Sequence, residues 1–179
     1  VLHRDLKPDN VFLAEYTGRP PQPMLLDFGL AKRIDAGADE IDPKDEMKLT
    51  ATGVPIGTPI YMAPEQWWSA PSSPATDQYA FGVLLFESLT GRPPFNSQQF
   101  AQLLQQHIHE KPPALRDVGH EVGDDIEAFV ARLLEKDGND RFADFDDVIA
   151  AGDRAFGRLS EPKSEPAQIH SQHQGRAVI

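Results

Sequence analysis

Apolar positions along this 179-residue chain fall into three patterns. Near the start they form two short runs, residues 11–13 and 24–27, which predict two strands. The stretch between them, AEYTGRPPQP, is rich in Gly and Pro and predicts a longer hairpin-like loop. In the middle, TDQYAFGVLLFESLTG surrounds a helix with Tyr79, Phe81, Val83, Leu84, Leu85, Phe86 and Leu89 instead of striping one face. Such a helix is expected to be buried and to form the axis of the fold. Thr76 or Asp77 is placed to cap its first amides, and Gly91 followed by Pro93 and Pro94 ends it. Beyond it the helical period returns three times: over residues 97–107, then at Ile126, Phe129, Val130, Leu133 and Leu134 behind Asp124 and Asp125, then at Phe145, Val148 and Ile149.

Two stretches have no period. Residues 33–47, RIDAGADEIDPKDEM, set six acids against two bases and predict a surface loop. After Phe156 the sequence is polar and carries two prolines, which predicts a tail or linker over 157–179 behind one folded unit over 1–156. No internal repeat is present.

Composition narrows the partners. A chain that is 40% hydrophobic and 25% charged can bury one ordinary core. A formal net charge of -11 repels nucleic-acid phosphates and anionic lipid, so neither is expected as a partner. The sequence has no cysteine, which removes disulfides, thiolate metal sites and cysteine nucleophiles together. Its longest apolar stretch, residues 80–86, is too short to span a bilayer, and a cytoplasmic location is expected.

The candidate chemistry is concentrated in the opening VLHRDLKPDN. Phosphoryl transfer needs a carboxylate that orients the attacking hydroxyl and accepts its proton. It also needs a cation on the phosphate and oxygen ligands for magnesium. Asp5, Lys7 and Asn10 can supply one of each, and Asp27 in LLDFGL can supply the charged magnesium ligand. With HRDLKPDN, DFG and GTPIYMAPE in this order, the chain resembles a Ser/Thr protein kinase of the Hanks type, closest in its PEQW and GRPPF segments to the bacterial branch. The resemblance runs over residues 1–156.

The resemblance implies a mainly helical C-terminal kinase lobe with a short two-stranded hairpin on its N-terminal side, using ATP and Mg2+ on a protein Ser/Thr acceptor. By position, Asp5 resembles the catalytic base and Lys7 the residue that steadies the γ-phosphate. Asn10 and Asp27 resemble the magnesium ligands, and Phe12 the residue beneath the adenine. Thr58 is expected to bridge Asp5 and Lys7, while His3 and Phe28 join a packing spine. Glu65 and Arg141 are expected as a buried bidentate pair, and Asp77 as the acid that holds the catalytic loop from the central helix. Thr50 and Thr52 are expected phosphorylation sites, with Arg4 and Lys32 as the phosphate pocket.

Phe142 and Gly138 stand where the resembled pattern often has Pro. The sequence shows no glycine-rich phosphate loop, no strand lysine of the VAIK kind and no helix glutamate to pair with it. The β-rich N-terminal lobe is therefore expected to be absent, the missing segment to be a required partner, and the chain alone to be inactive. The alternative reading is a truncated lobe that serves as a non-catalytic binding or regulatory module.

Overall fold

The computed structural model describes residues 2–26, 59–68, 70–118 and 122–157. Asp27, Phe28, Lys32, Thr50, Thr52 and Thr58 lie outside the described residues, as do the acidic stretch 33–47 and nearly all of 157–179.

Two strands, β1 (Val11–Tyr16) and β2 (Arg19–Leu25), pair antiparallel, with Phe12 opposite Met24 and Leu13 opposite Pro23. The predicted long loop between them is instead mostly strand, with only Thr17 and Gly18 left to turn the chain. Gly18, at φ 75, supplies the left-handed residue that so short a hairpin requires. Pro20, Pro21 and Pro23 are accommodated because a two-stranded ribbon has only edge strands, where a missing N–H can face solvent. The register shifts between Ala14 and Tyr16, which lets the two strands differ in length.

Helix α1 (Pro74–Thr90) is the axis. Pro74 opens it and Gly91, at φ 74, closes it by donating its N–H to Glu87 O at 2.7 Å. The N-cap is Ser73, not Thr76 or Asp77; Thr76 Oγ1 reaches back to accept from Ser73 N at 3.0 Å. This frees the Asp77 carboxylate for a longer-range task.

Helix α2 (Phe100–His109) begins three residues later than the period implied, because Ser97 makes a local turn and accepts from Gln99 N at 3.1 Å. Helix α3 (Asp124–Leu133) and helix α4 (Phe145–Phe156, capped by Asp144 on Asp147 N) are the last α-helices among the described residues. The core joins Tyr79, Val83 and Phe86 of α1 to Phe129, Val130 and Leu133 of α3, with Leu115, Phe142 and Val148 sealing it. Phe129 is the hub for the last two helices, its ring 5.6 Å from Phe142 and edge-on to Phe156 at 6.1 Å. Among the described residues, no helix is long and apolar enough to cross a membrane.

Candidate active site

The loop before β1 is held from both sides. Asp77, almost wholly buried on α1, accepts His3 N at 2.7 Å and Arg4 N at 2.8 Å, one on each carboxylate oxygen. Charge-assisted bonds of this kind contribute about 1.5–3 kcal/mol each, enough to keep Arg4 at φ 66, a left-handed conformation unusual for a side chain of its size. On the other side, Leu26 N donates to Asn10 O at 2.8 Å and His3 Nε2 lies 3.2 Å from Leu26 O. The end of β2 is thereby tied to the loop.

Asp5, Lys7 and Asn10 meet inside this frame. Lys7 Nζ lies 2.8 Å from Asp5 Oδ2, and Asn10 Nδ2 donates to the same oxygen at 3.1 Å and to Asp5 O at 2.7 Å. One carboxylate oxygen thus carries both cation and amide, while Oδ1 accepts no hydrogen bond from the described residues. Asp5 and Lys7 keep side-chain exposures of 32% and 21%, so the pair faces an open edge and not the core. With its nitrogen turned to Asp5, Asn10 keeps an amide oxygen of the kind that suits a hard cation. Among the described residues no group of three or more His, Asp or Glu is arranged to hold a metal ion.

Phe12 lies across from Met24 on one face of the hairpin, and both are exposed. Together they make a small apolar platform beside Asn10.

Glu65 and Arg141 form the expected bidentate pair at 2.8 and 3.0 Å. Arg141 also donates to the carbonyls of Glu135, Ala75 and Lys136, so that its buried guanidinium is fully satisfied. Burial alone would raise the Glu65 carboxyl; the hydrogen bonds and charge of Arg141 outweigh it and hold the group below its ordinary range.

Several polar groups escaped the sequence patterns. Tyr61 donates to Glu87 of α1, and burial, that bond and the nearby charges of Glu87 and Asp9 hold the phenol well above its usual value. His107, fully buried, lies 3.0 Å from the Tyr79 hydroxyl through Nδ1. Burial, helped by the charge of Lys136, lowers His107 to about 3, so the ring is neutral. Lys136 sits 4.5 Å from the Phe95 ring centroid and is itself pushed down to about 8, by burial first and then by Arg141. Gln78 binds the backbone of Phe142. Each of these depends on partners distant in sequence and on no motif.

Residues 1–150 match the family described as protein kinase domain. Among curated proteins the chain is similar to the serine/threonine-protein kinase Pkn1 of Myxococcus xanthus, 37% identical over 94% of this chain and 24% of that protein. It is also similar to the serine/threonine-protein kinase PkaA of Streptomyces coelicolor, 39% identical over 79% of this chain and 23% of that one. A third, the serine/threonine-protein kinase PknF of Mycobacterium tuberculosis, is 35% identical over the whole of this chain and 37% of its own length. The chain spans about a quarter of the length of the first two.

Proposed function

Because the chain belongs to the protein kinase domain family, we propose that it is the catalytic and substrate-binding half of a bacterial Ser/Thr kinase, moving the γ-phosphoryl of ATP to a protein hydroxyl. The observation that carries this reading is the partly exposed Asp5 carboxylate, with one oxygen fixed by Lys7 and Asn10 and the other accepting no hydrogen bond from the described residues. Asp5 Oδ1 orients the acceptor hydroxyl and takes its proton as the oxygen attacks. Lys7 neutralises charge on the transferring phosphoryl, to which its flexible stem brings it from Asp5. Magnesium, held by Asn10 and Asp27, supplies charge neutralisation on the nucleotide phosphates when bound. Phe12 carries the adenine on its exposed face.

In the same reading Thr58 ties Asp5 to Lys7, Phe28 continues the packing of His3, and phosphate on Thr50 or Thr52 docks on Arg4 and Lys32. Arg4 supports the last role: its Nε is buried with no hydrogen-bond partner among the described residues, the state of a cation built to receive an anion.

Positioning dominates this chemistry, and a phosphate grip of the glycine-loop and strand-lysine kind is not in the sequence. The chain alone is therefore expected to leave casein unlabelled by radioactive ATP. A chimera that places before Leu2 the whole segment preceding the catalytic loop in one of the matched kinases, its small lobe and the first helices of its large lobe, is expected to label it on Ser and Thr. Label on Tyr alone would contradict the Ser/Thr acceptor, and no label with both nucleotide and magnesium bound would favour the reading of a non-catalytic binding module.

A further inference from the structure

Gln78 is fully buried on α1 and takes no part in the chemistry above. Its amide makes two hydrogen bonds to one backbone residue far along the chain. Nε2 donates to Phe142 O at 3.0 Å, and Phe142 N donates to Oε1 at 3.1 Å. This is the two-way exchange of facing residues in an antiparallel ladder, made here by a side chain where no strand runs. Both bonds are buried, so losing one partner strands the other without water to replace it.

The residue so held is one of the two at which the chain departs from the proline of the pattern it resembles. Arg141 has φ -73 and ψ -163, an extended conformation that precedes proline without clash. The backbone before residue 142 therefore permits proline. What a proline cannot give is the N–H that Gln78 Oε1 accepts, so Gln78 and a non-proline residue at 142 are matched.

The match bears on the site through the neighbouring residue. Arg141 carries Glu65 in the turn Pro64–Trp68, and the same turn presents Trp67 to Phe100 at 5.3 Å and His107 at 6.1 Å. Carbonyls hold the guanidinium end of Arg141; Gln78 holds the main chain one residue on. We propose that Gln78 is a positioning residue: by pinning the Phe142 backbone it fixes Arg141, and through it seats Glu65 and the Pro64–Trp68 turn against the helical core. This stands whether or not the chain transfers phosphate.

Trp67 and Trp68 are the chain's two tryptophans, so Trp68→Phe leaves Trp67 as a reporter of the turn. In that background, Gln78→Met is expected to red-shift Trp67 emission and raise acrylamide quenching about twofold, as a local opening does, at a temperature where the far-UV circular dichroism stays native. In a Phe142→Pro background the same change is expected to add less than half as much, since the N–H is already gone. A second comparison needs no variant of Gln78. Phe142→Ala removes the ring and keeps the N–H, so Phe142→Pro is expected to expose Trp67 more than Phe142→Ala does. Unmoved Trp67 in Gln78→Met, equal increments in both backgrounds, or equal exposure in the Ala and Pro variants would each overturn the proposal.

Discussion

Arg141 shows how one side chain joins distant parts of the chain. Arg141→Ala takes the guanidinium from three carbonyls and leaves Glu65 with only the Thr76 hydroxyl as a side-chain donor among the described residues, and removing one member of a buried pair typically costs 3–5 kcal/mol. Glu65 keeps 22% side-chain exposure, so solvent recovers some of this and a loss of about 3 kcal/mol in urea unfolding is expected. A loss below about 1 kcal/mol would mean the pair behaves as a surface one. His107 sets the acid response. The folded chain keeps it neutral to about pH 3 whereas the unfolded chain protonates it near its ordinary 6.5. Between these values the unfolded state binds more protons, so stability falls as pH drops, by at most about 1.4 kcal/mol per unit. Glu65, held low by Arg141, adds its own loss below its ordinary 4.5. Urea midpoints measured between pH 6.5 and 4.5 should decline, and His107→Gln should flatten the decline; an unchanged slope in the variant would contradict the assignment. The Glu65–Arg141 pair was legible only because a resemblance linked two positions 76 residues apart. Gln78 and His107 were not legible, because a buried amide on a backbone and an imidazole on one tyrosine leave no spacing to read.

At the level of elements, α1 was readable because it is apolar on every side, and only packing explains that. The reason it can be packed so closely is Gly82. A Cβ there would stand 2.8 Å from Leu133 Cβ and 3.0 Å from Leu134 Cδ2, so α1 and α3 touch where the side chain is missing. Gly82→Ala raises helix propensity by up to about 1 kcal/mol, but forcing apart two packed helices costs typically 1–3 kcal/mol. Net destabilisation is expected, read as a lower melting temperature; a higher one would show that the contact relaxes freely. The hairpin was misjudged in length for a definite reason. Prolines argue against a strand only where neighbours lie on both sides, and local sequence does not tell whether a strand has one neighbour or two. The cap of α1 was misplaced for a similar one: Ser73, Thr76 and Asp77 all have side chains suited to capping, and only the loop at His3 and Arg4, which claims Asp77, decides among them.

For the whole molecule, the opening loop and the central helix form one frame. His3, Arg4, Asp5, Lys7, Asn10 and Asp77 are brought together by short-range order in HRDLKPDN and one long-range acid. Phe12 stands on the hairpin and Glu65 with Arg141 in the helical part, while Asp27, Phe28, Lys32, Thr50, Thr52 and Thr58 lie outside the described residues. In an active chimera, phosphorylation of Thr50 or Thr52 is expected to raise activity through contact with Arg4 and Lys32, since a phosphate adds close to two charges and one to three strong hydrogen bonds. Thr50→Ala with Thr52→Ala should lower activity, and mass spectrometry of the parent should find phosphate on one of them; full activity with neither threonine modified would exclude the switch. The account rests most directly on Asp5. The decisive measurement is the rate of phosphoryl transfer to a Ser/Thr substrate by the chimera and by its Asp5→Asn variant, at saturating ATP and magnesium. Asparagine keeps the shape and can still meet Lys7 and Asn10 through its oxygen, but it cannot take the proton, so kcat should fall about 10²–10⁴-fold with the melting temperature little changed. A variant that transfers phosphate as fast as the parent would contradict the account.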